Sequence, residues 1–226
     1  MTELRQAVLQ LAVRGRLVPF DPARAARPLG AILAEPSLNG LSAKPHDDPA
    51  GVPILRISAG TSRRDALVDE TDHKYLEVDA QTIEQFRLAP GDLLACRFNG
   101  NLHYLGRMSL YTGYSGLTQI YPDKLIRFRV AREVADPAYV RYVFNARETR
   151  QKIESYCATT AGNIGISAGR LKTIEVPVPS LPDQHRIVAK VDELMALCDA
   201  LEARLARARE KSAHLAASVV HHLGAA

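Results

Sequence analysis

The sequence predicts an α+β fold: a domain organised on a mixed sheet, followed by one long C-terminal helix of the coiled-coil type. Three observations carry this. Short β-rich runs separated by turn residues occupy 52–130, an Asp-Pro helix start at 136–137 opens a helical pattern, and an apolar 4-3 repeat runs through the end of the chain.

In chain order, residues 3–14 place Leu4, Val8 and Leu11 on one helical face behind Thr2, with Gly15 as the stop. From Pro19 to Pro53 seven prolines leave room for a turn or two around Leu29–Ala34, so the stretch reads mostly as loop. Val52–Ser58 and Tyr75–Val78 read as strands, Asp79 caps a short helix ending at Phe86, and Pro90-Gly91-Asp92 turns the chain into a strand over Leu93–Phe98. Asn99-Gly100 is a type I′ hairpin signal, since both residues tolerate positive φ, and a return strand follows through Leu105–Tyr111. After a Gly/Ser/Tyr loop at 112–116 come Leu117–Tyr121 and Lys124–Val130. The latter alternates Ile126, Phe128 and Val130 with Arg127 and Arg129. Asp136-Pro137 then starts a helix over Tyr139–Tyr156 with Val140, Val143, Phe144 and Ile153 as its apolar positions. Residues 158–169 are small and flexible, Leu171–Val178 ends in Pro-x-Pro, and Pro177–Pro182 closes the domain.

With Ile187 at a d position, the a/d series continues through Val191, Leu194, Cys198, Leu201, Leu205, Ala208, Ser212, Leu215 and Val219. A helix of roughly forty residues spans about 60 Å, longer than a small domain is wide, so the seam calls for another helix. The flanking positions are apolar in the first half (Val188, Met195, Leu197) and charged in the second (Glu202, Arg204, Arg209, Lys211), so the near half is expected to meet more than one neighbour.

Composition bounds the function. The chain has 226 residues, 46% hydrophobic and 24% charged, which is ordinary globular usage. No run of apolar residues is long enough to span a bilayer, and the N-terminus interleaves charge with apolar residues, unlike a secretory signal; a cytoplasmic protein is expected. Cys96, Cys157 and Cys198 are far apart and the histidines scattered, so neither a disulfide framework nor a metal site is expected. The net charge of +4 is concentrated: residues 97–129 hold Arg97, Arg107, Lys124, Arg127 and Arg129 against Asp123 alone. Such a centre is either a solvated face or a surface for phosphate.

The common catalytic motifs are missing from the sequence. There is no G-x-x-x-x-G-K-[ST] loop, no Asn/Asp-Pro-Pro-aromatic run and no G-x-S-x-G elbow. Neither Pro122-Asp123 nor Pro182-Asp183 is followed by the carboxylate and lysine of a nuclease, and Asp72-His73-Lys74 lies upstream of both. The expectation is a protein that is not an enzyme and takes no cofactor.

Several segments resemble the specificity subunit of type I restriction-modification enzymes: LRQAVLQLAVRGRLVPFDP at the start, GVPILRIS (51–58), LAPGDLLACRFNGN (88–101), LGR (105–107), YPDKLIRFR (121–129) and, above all, GNIGISAGRLKTIEVPVPSLPDQHRIVAKVDELMALCDALE (162–202). Members of that family usually carry two target-recognition domains and two long helices, whereas this chain has one of each, and Asp183 stands where the family tends to have Glu. The resemblance implies a docking helix over 1–18, a target-recognition domain over 19–180 and a spacer helix over 181–226. It implies double-stranded DNA, a modification (methyltransferase) subunit and a restriction subunit as partners.

On this footing Arg97, Asn99, Asn101, Thr118 and Gln119 have the chemistry to reach base edges, arginine suiting guanine and asparagine or glutamine suiting adenine. Arg56, Arg107, Lys124, Arg127, Arg129 and Lys172 are assigned to phosphates, and Asn163 and Ser167 lie in a small-residue stretch that lets backbone amides approach one. Two copies are expected to pair through antiparallel long helices, using Ile187, Val188, Val191, Leu194, Met195, Leu197, Cys198, Leu201, Leu205, Leu215 and Val219, and so to read a split palindrome. Val188, Met195 and Leu197 are the expected docking positions for the methyltransferase. The alternatives are a coiled-coil adaptor that binds no DNA, a stand-alone nuclease or methyltransferase, and an excised half of a longer subunit.

Overall fold

The computed structural model describes residues 2–160 and 163–224, with side chains described at 2–157 and 164–214. The first helix, α1 (Thr2–Val13), stops where Gly15 takes a φ of 66°. Asp21 accepts from the Ala23 and Arg24 amides to start α2 (Pro22–Ala25), with Pro22 at the first helical position. The proline-rich stretch then supplies β1 (Ala26–Pro28), a 3₁₀ turn over Leu29–Ile32 and β2 (Leu38–Asn39), so part of the expected loop runs along sheet edges. Next come β3 (Val52–Leu55), β4 (His73–Leu76) and α3 (Ala80–Phe86), whose cap Asp79 accepts from the Thr82 amide. They are followed by β5 (Leu93–Cys96), β6 (Phe98–Asn99), β7 (Met108–Leu110) and β8 (Leu125–Phe128). The remainder is α4 (Pro137–Asn145), α5 (Arg147–Ser155), β9 (Ala158–Thr160), β10 (Asn163–Gly165), α6 (Ala168–Lys172), β11 (Glu175–Pro177) and α7 (Leu181–Gly224).

The expected single sheet is four small ones, in the orders β2-β8-β5-β7, β3-β4, β6-β10-β9 and β1-β11. Every ladder is antiparallel, and parallel pairing enters as isolated bridges such as Ile54–Ile120, the only pairing mode of the segment expected as a strand over 117–121. The two faces of β5 and β8 enter different cores. Leu93, Ala95, Ile126 and Phe128 join Val140, Val143 and Phe144 of α4, while Leu94, Cys96 and Leu125 join Leu55, Val68 and Tyr121. Each fully buried Leu, Ile, Val or Phe among them contributes about 1.5–3 kcal/mol.

Three local expectations are corrected. Neither Asn99 nor Gly100 adopts positive φ, so the type I′ turn does not form; Phe98 and Asn99 pair instead with β10, and the β5–β7 hairpin is closed by a long excursion over 97–107 in which Gly106 has φ 63°. The helix expected over 139–156 breaks at Ala146 (φ −71°, ψ 144°), where the Asn145 carboxamide donates to the carbonyls of Met108 and Arg141 and ties the break to β7. On α1 the buried positions are Val8, Leu9 and Ala12, and Leu4 and Leu11 remain 45% and 44% exposed. Arg5, on the same side of α1 as Val8, Leu9 and Ala12, ion-pairs with Asp199 and Glu202 of α7.

The seam of α7 divides. Gln184, fully buried, accepts from the Asp136 amide and donates to the carbonyls of Val134 and Pro179, fastening the helix start. Ile187, Val191 and Cys198 are buried, while Val188, Leu194 and Met195 pack half-buried against the body's own core. Val188 and Met195 thus give part of their surface to this chain's own core and leave part of it open. The Tyr142 hydroxyl donates to Asp192 on the same stretch. From Ala203 to His214 every side chain is exposed, and Leu197, Leu201 and Leu205 stand 53%, 46% and 49% open. The side chains of Leu215 and Val219 lie outside those described. Among the described residues no helix is long and apolar enough to cross a membrane.

Candidate nucleic-acid interface

The excursion over 97–107 leaves β5 at Arg97, whose amide donates to the Lys124 carbonyl (2.7 Å) and whose carbonyl accepts from the Ile166 amide (3.0 Å). Phe98 then pairs with Gly165 of β10. A Cβ added at Gly165 would stand 2.5 Å from the Phe98 ring, so the ring lies directly on glycine backbone. The Arg97 guanidinium sits 4.6 Å from the ring centroid and the Lys124 ammonium 5.7 Å from it. Lys124 also holds Asp123 at 3.0 Å, while Arg97 has no carboxylate partner among the described residues.

Asn99 and Asn101 shape the excursion. The Asn99 side-chain oxygen accepts from the Asn101 amide, and that of Asn101 from the His103 amide, both at 2.9 Å. An adenine-reading carboxamide needs its oxygen as well as its nitrogen, and both oxygens already accept from backbone. Buried Arg150, which sequence reasoning missed, closes the excursion by donating to the carbonyls of His103 (3.2 Å) and Leu105 (2.7 Å). Beneath it lies Cys96, whose thiol is pushed up to about 11 by burial.

Four other predicted contacts face protein. Gln119 is fully buried and donates to the Glu70 carbonyl at 2.8 Å. Arg107 donates to the carbonyls of Thr61 and Arg63. Buried Arg127 bonds Glu35 (2.8 Å) and the Arg87 carbonyl (2.9 Å), and Arg129 grips Asp92 with two bonds (2.7 and 2.8 Å) and reaches Glu35 at 3.2 Å. Alternation had placed these arginines on the face opposite Ile126 and Phe128, but Glu35 and the second core cover that face too. The remaining predicted residues are open to different degrees. Arg56 is exposed with Asp72 3.7 Å away, Thr118 is exposed and Lys172 half-buried. Ser167 caps α6 by accepting from the Arg170 amide (3.2 Å), and the Asn163 side chain lies outside those described.

Glu70 was also missed. Its fully buried carboxylate accepts from the Thr112 amide and hydroxyl (both 3.1 Å), the Gly113 amide (2.6 Å) and the Ser115 amide (2.8 Å). Burial alone would raise its pKa, but the bonds from Ser115, Gly113 and Thr112 outweigh burial and hold it below the ordinary carboxylate value. Gly113 (φ 76°) and Gly116 (φ 69°) supply the turns, and the loop presents Tyr114, 56% exposed, and Leu117. The only advance signal was the clustering of small residues with glycine at 112–116, whose amides need an acceptor.

A cavity of about 640 Å³ separates α1, α4 and α7 from the segment 63–67, with Arg141, Tyr142 and Asp192 among its walls. Among the described residues no group of three or more His, Cys, Asp or Glu side chains converges to hold a metal.

No family model matches the sequence. The chain is 35% identical over 227 residues to the type I restriction enzyme EcoKI specificity subunit of Escherichia coli K12, a match covering 97% of this chain and 48% of that protein. It is 26% identical to the StySPI specificity subunit of Salmonella potsdam, with the same coverage of each chain, and 32% identical over 152 residues to the putative MjaX specificity subunit of Methanocaldococcus jannaschii, covering 66% of this chain and 34% of that one. The chain thus spans about half the length of the curated relatives it matches. The fold is similar to the crystal structure of the HsdS subunit from Thermoanaerobacter tengcongensis, with a TM-score of 0.61, 18% identity, and coverage of 89% of this chain and 45% of that one.

Proposed function

The chain belongs with the specificity subunits of type I restriction enzymes, matching about half of one, and on that premise we propose that it reads one half of a split DNA site for a modification and restriction complex. The observation that carries this reading is the nearly end-to-end match, which embraces the 97–107 excursion and the start of the long helix alike. On this reading residues 1–18 dock, 19–180 recognise DNA and 181–226 form the spacer. The chain makes no chemical step of its own; methyl transfer and cleavage reside in partner subunits in the cytoplasm.

Arg97 and Lys124 are the central contacts, Arg56, Thr118, Ser167 and Lys172 are further ones, and Asn99 and Asn101 are limited to donating from their amide nitrogens. Two chains pair through the uncovered half of α7, from Leu197 through Leu205 onward, so that the site is a palindrome with a spacer set by the helices. A two-fold protein dimer presents the same reading surface twice, which is the symmetry such a site needs.

The test is selection of the full-length chain on a randomised duplex library, followed by anisotropy at stepped salt. We expect one bipartite palindromic site to be enriched and its affinity to fall by orders of magnitude between about 50 and 200 mM salt, as counterions return to the phosphates. Recovery of no DNA by a folded chain would leave the adaptor reading; turnover with Mg²⁺ or a methyl donor by the chain alone would mark an enzyme.

A further inference from the structure

We propose that Arg97 reads a guanine in the half-site and that Phe98, seated on Gly165, is its positioning residue. This rests on the reading of the chain as a DNA-recognition subunit. Of the arginines in the basic centre, Arg107, Arg127 and Arg129 direct their N–H groups at carbonyls and carboxylates of the protein. Arg97 is held in a different way: its guanidinium carbon lies over the Phe98 ring, 4.6 Å from the centroid, and none of the guanidinium N–H groups bonds a protein acceptor among the described residues. A guanidinium seated over a ring in this way keeps its fork of donors uncommitted to the protein. A free, flat, oriented fork is what bidentate bonding to guanine O6 and N7 requires, because both acceptors lie in the plane of the base on the major-groove edge. A flexible arginine would lose side-chain entropy on forming that pair, whereas a stacked one has lost part of it already.

Gly165 follows from the same geometry. Its pairing with Phe98 lets the ring lie on the strand, and the 2.5 Å clearance to a hypothetical Cβ means that any side chain there would push the ring away and take Arg97 with it. Lys124, 5.7 Å from the same ring and partnered by Asp123, is a point charge without a fork and suits an adjacent phosphate. The ledge thus separates two tasks within one cluster: Arg97 discriminates and Lys124 anchors.

The experiment compares the full-length wild type with Arg97→Ala, Arg97→Lys, Phe98→Leu, Gly165→Ala and Lys124→Ala, each selected on a randomised duplex library and then titrated against the selected site and its single-base variants at several salt concentrations. Thermal melts identify any variant that fails to fold, and Phe98→Leu and Gly165→Ala check each other because they disturb the ring from opposite sides. Arg97→Ala and Arg97→Lys should reduce the preference for guanine at one position in each half-site by about 10- to 100-fold. Phe98→Leu and Gly165→Ala should reduce it at the same position by about 2- to 5-fold with the salt dependence unchanged, a pattern that general destabilisation of the domain would not give. Lys124→Ala should weaken all sequences alike and make the salt slope shallower by about one. Uniform weakening by Arg97→Ala with the selected sequence unaltered would make Arg97 a phosphate ligand and overturn the inference while leaving DNA recognition intact. A loss of preference at a different position in Phe98→Leu would remove Phe98 as the mount. Failure of the wild type to select any sequence would strike the underlying reading itself, and the inference with it.

Discussion

Glu70 shows how much one residue does here. Its two oxygens receive three backbone amides and a hydroxyl from 112–115, so the loop that presents Tyr114 and Leu117 is wound around a single buried anion. In Glu70→Gln one oxygen becomes an NH₂ group and points a donor at donors. We expect a loss of about 2–3 kcal/mol in urea unfolding, with the loop amides exchanging faster in hydrogen-exchange measurements. The pH dependence follows from the lowered pKa. A carboxylate whose folded value lies below its unfolded 4.5 contributes stability that is complete above that value and is lost as pH falls through the folded one. The wild type should therefore lose more stability than Glu70→Gln as the pH is taken down through and below about 4.5.

At the scale of elements, the decisive feature is that α7 changes role along its length. Ile187 and Val191 fill the core shared with α1 and α4, with Val188, Leu194 and Met195 half-buried against it; from Ala203 onward its described side chains are exposed. The same heptad series thus lies in two different surroundings, and substitutions along it should separate. Val191→Asp puts a charge into the shared core and should cost about 4 kcal/mol or more, or prevent folding. Leu201→Asp with Leu205→Asp should leave the melting temperature within about 2 °C, since both side chains are half open in the single chain. In sedimentation equilibrium that double variant should be a monomer at concentrations where the wild type is a dimer; a dimer of undiminished affinity would place the contact elsewhere. The break at Ala146 belongs to this scale too, because Asn145 ends α4 at the point where β7 needs its carboxamide.

At the scale of the molecule, α1, α4 and the first half of α7 join the sheet domain through one continuous core, so the first helix and the base of the last one are fixed to the same body. Glu202 marks the departure, ion-paired to Arg5 of α1 and to Arg64 of the 63–67 segment. From Ala203 to His214, about 18 Å of helix, every side chain is exposed in the single chain. Truncation after Leu205 should accordingly leave the fold and its melting behaviour nearly unchanged while abolishing association, and calorimetry beside sedimentation would read both. DNA binding by such a truncated chain should retain half-site preference and lose cooperativity, since each recognition domain would act alone.

The sequence by itself determined the features set by local chemistry and period: the Asp79 and Asp136 caps, the Gly15 stop, the strands around 93–96 and 125–128, the long helix and its apolar repeat. It also held the resemblance to specificity subunits, because that lies in runs of contiguous residues. Only the tertiary structure decided which charges are free. Arg97, Arg107, Arg127 and Arg129 read alike along the chain, and what separates them is whether Glu35, Asp92, a carbonyl or an aromatic ring lies across from each, over sequence distances of up to 94 residues. Strand alternation gives the face of a side chain and never what covers that face. For the same reason Asn99-Gly100, a strong turn signal alone, became a strand end once β10 offered it backbone partners.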